Sequence, residues 1–273
     1  MIGEVDGHAH VFAPDLPLAE PRRYTPGYAA TAEQFIAHLD ASGLAGGLLT
    51  QPSFLGTDNR HMLAAVARYP ARLRAVVVVD PEITDADLDG LASQGAVGIR
   101  LNLEGVSLPD LSVAPWPALF ARLARRHWHV EIHRKAVDLP VILAPLLDSG
   151  VRICIDHFGR PDPEQGVNDP GFLALLDSAS TRRVWVKVSA AYRTGGVSRG
   201  EALAPVLLAR LLTAFGPQRL IWASDWPHTQ HESLVTHRDC WMALARWAGD
   251  EALARRIRTE GMASLLEGTS STG

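Results

Sequence analysis

The sequence predicts a single-domain α/β protein, a (β/α)8 TIM barrel spanning 1–267, and three observations carry that prediction. First, β-branched strand-like runs alternate with helical patterns eight times along 273 residues, which implies parallel pairing and suffices to close a barrel. Second, no Gly-rich phosphate loop follows any strand, which disfavours the open doubly wound sheet. Third, His, Asp, Arg and Lys gather where strands give way to loops, the face on which such barrels build their sites.

In order, Val5–Val11 is the first strand, and the Pro-rich stretch from Phe12 to Gly27 is long enough to be a site loop. Thr31 and Gln34 form a capping box for a helix that stops near Gly43. The strand Gly47–Thr50, the helix Asp58–Tyr69 and the strand Leu73–Val79 follow. A helix capped at Thr84 leads to the strand Val97–Asn102, and the helix Trp116–Arg126 carries its basic residues late, where the dipole favours them. His129–His133, the helix Leu139–Asp148, Arg152–Asp156 and a helix around Phe172–Ala179 continue the alternation. Val184–Ser189, a helix from about Glu201 to Phe215, and Leu220–Asp225 complete the eight strands. Two helices split near Gly249 finish the chain, and the Gly268–Gly273 tail reads as disordered.

Composition excludes several classes. Apolar residues make up 47% and charged residues 21%, and the net charge of −4 comes with no basic block, arguing against nucleic-acid and anionic-membrane partners. No apolar run reaches the roughly 18 residues that span a bilayer. The first strand starts within a few residues of Met1, leaving no room for a signal peptide, and Cys154 and Cys240 form no CxxC. A cytoplasmic protein is expected, acting on a small molecule, with a homo-oligomer an open option.

Strand alternation places Asp6, His8 and His10 on one face, Arg100 with Asn102, Glu131 with His133, Trp185 with Lys187 and Ser189, and Asp225 at the end of the eighth strand. Valines, isoleucines and leucines take the opposite faces, so the polar sets point into the barrel. Buried charge is costly unless paired or bound, which indicates a polar ligand, a metal, or both. Lys187 is expected to pair with Glu131 or Asp6. His38, His61, His127, His129 and His237 read as surface residues.

The motifs Asp6-Gly-His8-Ala-His10, Arg23-Tyr-Thr-Pro26, Gly56-Thr-Asp-Asn59, Gly98-Ile-Arg100-Leu-Asn102, Asp156-His157-Phe-Gly-Arg160-Pro161 and Ser224-Asp225-Trp-Pro-His228 occur in this order. Together they resemble the amidohydrolase superfamily, in its amidohydrolase-2 branch of pyrone-dicarboxylate and sugar lactonases. The resemblance implies a (β/α)8 barrel and a catabolic hydrolase that opens a cyclic ester. Two departures stand out. The pyrone lactonase carries a further substrate-binding arginine just past the fourth strand, where this chain has Glu104-Gly-Val-Ser-Leu. It also works without a metal, whereas here His8, His10, His133 and Asp225 look like the mononuclear site of other superfamily members.

The expected chemistry is water attack on a small, carboxylated lactone. Asp225 is the base; His8 and His10 polarise the carbonyl, with one Zn²⁺- or Mn²⁺-type ion or without metal. His157 stabilises the oxyanion or protonates the leaving oxygen. Arg100, Asn102, Arg160, Arg193 and His228 bind substrate, and Tyr24 closes over it. The alternatives are a metal-dependent decarboxylase of an unsaturated acid on the same fold and a non-catalytic small-acid-binding barrel.

Overall fold

A computed structural model describes residues 3–269. Eight parallel strands form one sheet in sequence order: β1 (Val5–Ala9), β2 (Gly46–Thr50), β3 (Leu73–Val77), β4 (Ala96–Asn102), β5 (His129–His133), β6 (Arg152–Ile155), β7 (Val184–Val188) and β8 (Leu220–Trp222). Around them lie α1 (Ala32–Ala41), α2 (Arg60–Arg68), α3 (Asp85–Ser93), α4 (Trp116–Arg125), α5 (Leu139–Ser149), α6 (Pro170–Asp177), α7 (Gly196–Phe215), α8 (His237–Ala248) and α9 (Glu251–Leu265). The barrel closes through Asp225, whose N–H donates to His8 O at 3.0 Å, and His10, whose N–H donates to Trp226 O at 2.8 Å.

Local chemistry sets the boundaries. Thr31 and Gln34 satisfy each other's backbone N–H groups and open α1, as the capping box predicts. Helix α7 begins five residues earlier than the sequence pattern indicates, because Gly200 lets its first turns lie against Ala191. A Cβ there would come within 2.0 Å of the Ala191 carbonyl oxygen. Strand β8 ends three residues earlier than expected. Past Trp222 the ladder gives way to a side chain: Ser224 N–H donates to Asp6 Oδ1 at 2.9 Å, and Asp225 turns to φ 60°.

The interior is layered. Val5, Leu48, Val76, Val97, Cys154, Trp185 and Ile221 form an apolar floor, sealed from below by Met262 and Leu265 of α9. Above it come the charged residues, and the valine–isoleucine–leucine faces meet the helices in the main core.

Three sequence readings need correction. Asp6 does not share the inward face of His8 and His10. The β1 register shifts between Asp6 and Ala9, Asp6 Oδ1 accepts the His8 N–H at 3.1 Å, and Asp6 Oδ2 lies 3.3 Å from His237 Nε2 on α8. His237 is therefore buried rather than at the surface. His129 is buried too, its ring packed where a Cβ on Gly98 would lie.

Cys154 and Cys240 are free and buried. No described helix is long and apolar enough to cross a membrane. Of the Gly268–Gly273 tail expected to be disordered, Gly268 and Thr269 instead continue a turn beyond α9, Thr269 N–H donating to Leu266 O at 3.1 Å, and residues 270–273 lie outside the described ones.

Candidate active site

A cavity of about 210 Å³ opens at the C-terminal ends of the strands, lined by His10, His133, His157, Arg100, Arg160, Arg193 and Asp225 among others. A larger cavity of about 640 Å³ lies beside it and shares Arg160 and Arg193, but its walls are mostly proline, glycine and aliphatic groups and it holds none of the histidines. The chemistry resides in the smaller one.

Asp225 is the centre. Its Oδ2 accepts from Tyr192 Oη at 2.5 Å and from Arg193 Nε at 2.8 Å. Its Oδ1 is left facing His8 Nε2 and His157 Nε2, each 3.7 Å away. Burial works to raise the Asp225 pKa, but Arg193 and the histidines outweigh it and hold the carboxyl well below its usual range. Asp225, His157, Arg160 and Ala190 all have left-handed φ. Such clustering of strained non-glycine residues is typical of functional sites.

The histidines are fixed from behind. His10 Nδ1 lies 2.7 Å from the Thr50 carbonyl, which can only accept, so Nδ1 carries the proton and Nε2 presents a lone pair. That lone pair meets His8 Nε2 at 3.2 Å. His157 Nδ1 is 2.9 Å from Ser189 Oγ. Burial, reinforced for His10 by Arg100, lowers the His10 pKa to about 4; burial also lowers His8, His133 and His157, so the rings are neutral near pH 7.

Beneath lies a charged layer. Lys187 Nζ donates to Glu131, lies 3.2 Å from Asp156 Oδ1 and 2.7 Å from His8 Nδ1. Arg100 donates to Asp156 Oδ2 at 3.1 Å and to the Gln51 carbonyl at 3.2 Å. Burial, then Glu131, raises the Asp156 pKa to about 6, while Lys187 and Arg100 keep Glu131 ionised against its own burial. Of the two partners foreseen for Lys187, the structure selects Glu131.

The donor set fits one divalent ion. Atoms bound to a single cation at 2.0–2.2 Å lie roughly 3–4.4 Å apart, which suits His8, His157 and Asp225, whose donor atoms all lie within 4.8 Å of one another, while His10 reaches this group through His8, at 3.2 Å. His8 can serve either state. With Lys187 donating to Nδ1, its Nε2 carries a proton; with Nδ1–H on Glu131 Oε1, 3.2 Å away, Nε2 offers a lone pair. The buried Glu131 Oε1 has no other hydrogen-bond donor.

The amidohydrolase family model matches residues 5–260. This chain belongs to the amidohydrolase family. It is 31% identical over 273 residues to a 4-sulfomuconolactone hydrolase of Hydrogenophaga intermedia, covering 97% of this chain and 88% of that one. Identity to a 2-pyrone-4,6-dicarboxylate hydrolase of Comamonas testosteroni is 35% over 236 residues, covering 83% and 77%. A crystal structure of a probable 2-pyrone-4,6-dicarboxylic acid hydrolase from Acinetobacter baumannii, with citric acid bound, superposes with a TM-score of 0.94 at 38% identity over 97% and 99% of the two chains. A manganese-bound dihydroxybenzoic acid decarboxylase from a Polaromonas species is 15% identical with a TM-score of 0.71, and shares the fold alone.

Within this amidohydrolase, the residues singled out from sequence divide into those that converge and those that do not. His8, His157 and Asp225 meet at one point, with His10 beside His8. His133 stands apart from that cluster: its Nε2 lies 3.1 Å from Arg160 Nη1, and His157 takes the place expected of it. Arg193, expected to bind substrate carboxylates, is instead committed to Asp225 and to the Thr229 carbonyl. Arg100 is likewise occupied by Asp156. His228 does not line the cavity; it is buried with its Nδ1 3.2 Å from Tyr192 Oη, and His231 lines the cavity instead. Tyr24 and Asn102 line the cavity, Tyr24 donating to Thr229 Oγ1 at 3.2 Å. Sequence reasoning missed Tyr192, Arg23 and Glu104. Glu104 could have been found by continuing the β4 alternation two residues beyond Asn102, and Arg23 is the first residue of the Arg-Tyr-Thr-Pro motif.

Proposed function

We propose that this amidohydrolase opens a small carboxylated lactone by attack of water deprotonated at Asp225. One observation carries the reading: Tyr192 and Arg193 grip Oδ2 and leave Oδ1 aimed into the cavity between two histidine nitrogens. A carboxylate so held stays ionised and cannot rotate, as a general base requires. Water between Oδ1 and the substrate gives its proton to Asp225, and its oxygen bonds to the carbonyl carbon. The ring C–O bond then breaks, and the leaving oxygen takes a proton. The His157 ring, steered by Ser189, and His8 Nε2–H, set by Lys187, are the donors within reach of the developing oxyanion and leaving oxygen. The names of the similar hydrolases, all acting on lactones, support the same reading.

In place of those two histidine donors, we further place one Zn²⁺- or Mn²⁺-type ion at His8, with its Nδ1–H on Glu131, at His157 and at Asp225. When bound, such an ion would polarise the carbonyl as a Lewis acid. Elemental analysis of protein purified without chelator tests occupancy: about one equivalent is expected, falling on His157→Ala but not on His133→Ala. Under about a tenth of an equivalent, with activity indifferent to chelator, would leave hydrolysis to the side chains alone. For the reaction itself, a lactone panel read by proton release and by CO2 separates the alternatives. Ring opening without CO2 is expected; CO2 release would indicate the decarboxylase, and tight binding without turnover a binding protein.

A further inference from the structure

We infer that the cavity is built for a lactone bearing one acidic group, taken by Arg23, and that Glu104 excludes a second. This deepens the lactonase reading and rests on it. Four guanidinium groups line the cavity, Arg23, Arg100, Arg160 and Arg193, a number that suggests a polyanionic ligand. Their pairing shows otherwise. Arg193 is held by Asp225 at 2.8 Å, Arg100 by Asp156 at 3.1 Å, and Arg160 by Glu104 at 3.1 Å. Arg160 Nη1 also meets the neutral His133 ring at 3.1 Å, so that nitrogen is engaged twice.

Only Arg23 of the four lacks a carboxylate partner among the described residues; its one hydrogen bond is a long 3.5 Å contact to Asn102 Oδ1. It is exposed, on the loop that also carries Tyr24. A fork with free donors at a cavity mouth suits one planar carboxylate. Glu104 itself lines the cavity with its side chain 19% exposed. A second ligand carboxylate reaching Arg160 would have to displace Glu104 from Nη1 or sit beside its charge, which is unfavourable in a confined site.

Calorimetric binding of benzoate and benzene-1,3-dicarboxylate, which have no ester to open, tests this on the intact protein. Steady-state kinetics on 2-pyrone-6-carboxylate and 2-pyrone-4,6-dicarboxylate run beside it. The wild type should bind benzoate more tightly than the dicarboxylate. Glu104→Gln should raise the dicarboxylate-to-benzoate affinity ratio by about tenfold or more, the scale of one charge-assisted contact. Arg23→Gln should weaken benzoate by a similar factor, with thermal melts showing both variants folded. A wild type that prefers the dicarboxylate, that binds no benzoate at millimolar concentration, or whose preference Glu104→Gln leaves unchanged overturns the inference. If the binding ratios shift as stated but neither pyrone is opened, the hydrolase reading falls and the charge assignment stands. If both are opened with the dicarboxylate preferred, the reverse holds.

Discussion

Replacing Lys187 by methionine isolates the charged layer on which the site rests. The ammonium group is fully buried and touches Glu131, Asp156 and His8, so methionine keeps most of the volume and removes the charge. Glu131 and Asp156 are then left sharing Arg100 alone, at 3.5 and 3.1 Å. Removing one partner from a buried ion cluster costs about 3–5 kcal/mol, against a total stability of about 5–15 kcal/mol for a protein. Urea denaturation at pH 7.5 should show a loss on that scale. The loss should shrink as pH falls through about 6, because Asp156, already raised to about 6 by burial and Glu131, takes up a proton and relieves the excess negative charge. The double variant Lys187→Met/Glu131→Gln should recover much of the stability, since it removes the stranded carboxylate as well. A single variant within about 1 kcal/mol of wild type, or a double variant no better than the single, would refute the view that Lys187 neutralises this layer.

Two further outcomes follow from the same structure. Tyr192→Phe removes one of the donors holding Asp225 Oδ2, so the acid limb of the kcat/KM profile should move to higher pH and turnover should fall; an unmoved limb would mean Tyr192 does not tune the base. Burial above all keeps His10, His129 and His228 near 4 against an ordinary 6.5. The unfolded chain therefore binds more protons than the native one between about pH 4 and 6.5, and stability present above 6.5 is lost as pH falls toward 4. Asp156 acts in the opposite sense between 3.8 and about 6, but is one group against three. Tm measured across this interval should decline with acidification, and a flat Tm would contradict the assignment of neutral buried histidines.

The barrel was legible in the sequence because strand-like runs alternate with helical patterns, several strands set β-branched residues against polar ones, and several helices carry a start or stop signal, such as Thr31, Thr84 or Gly150. The histidines and Asp225 were legible because strand ends are where such a barrel gathers chemistry. What escaped depends on departures from regular alternation and on side-chain reach. The β1 irregularity turns Asp6 toward His237, and no periodicity rule anticipates a bulge whose cause is a side chain capping its own strand. The pairing of Arg193 with Asp225 bridges 32 residues, and that of Arg160 with Glu104 spans 56. Both arginines follow strand ends, as expected for substrate ligands, yet each is paired with a carboxylate of the protein itself. His129 looked superficial because it begins a strand, but a strand's first residue in a closed barrel can face the floor, and Gly98 leaves room for its ring.

The central claim is that Asp225 Oδ1 takes the proton from the attacking water. Asp225→Asn keeps the shape and the hydrogen-bonding capacity toward Tyr192 and removes the base. Single-turnover ring opening of the best lactone from the panel, followed by proton release on wild type and variant of matched circular dichroism, is the most direct measurement. A fall in rate of about 10² or more is expected for a lost general base. A variant that opens the lactone at close to the wild-type rate would remove Asp225 from the mechanism.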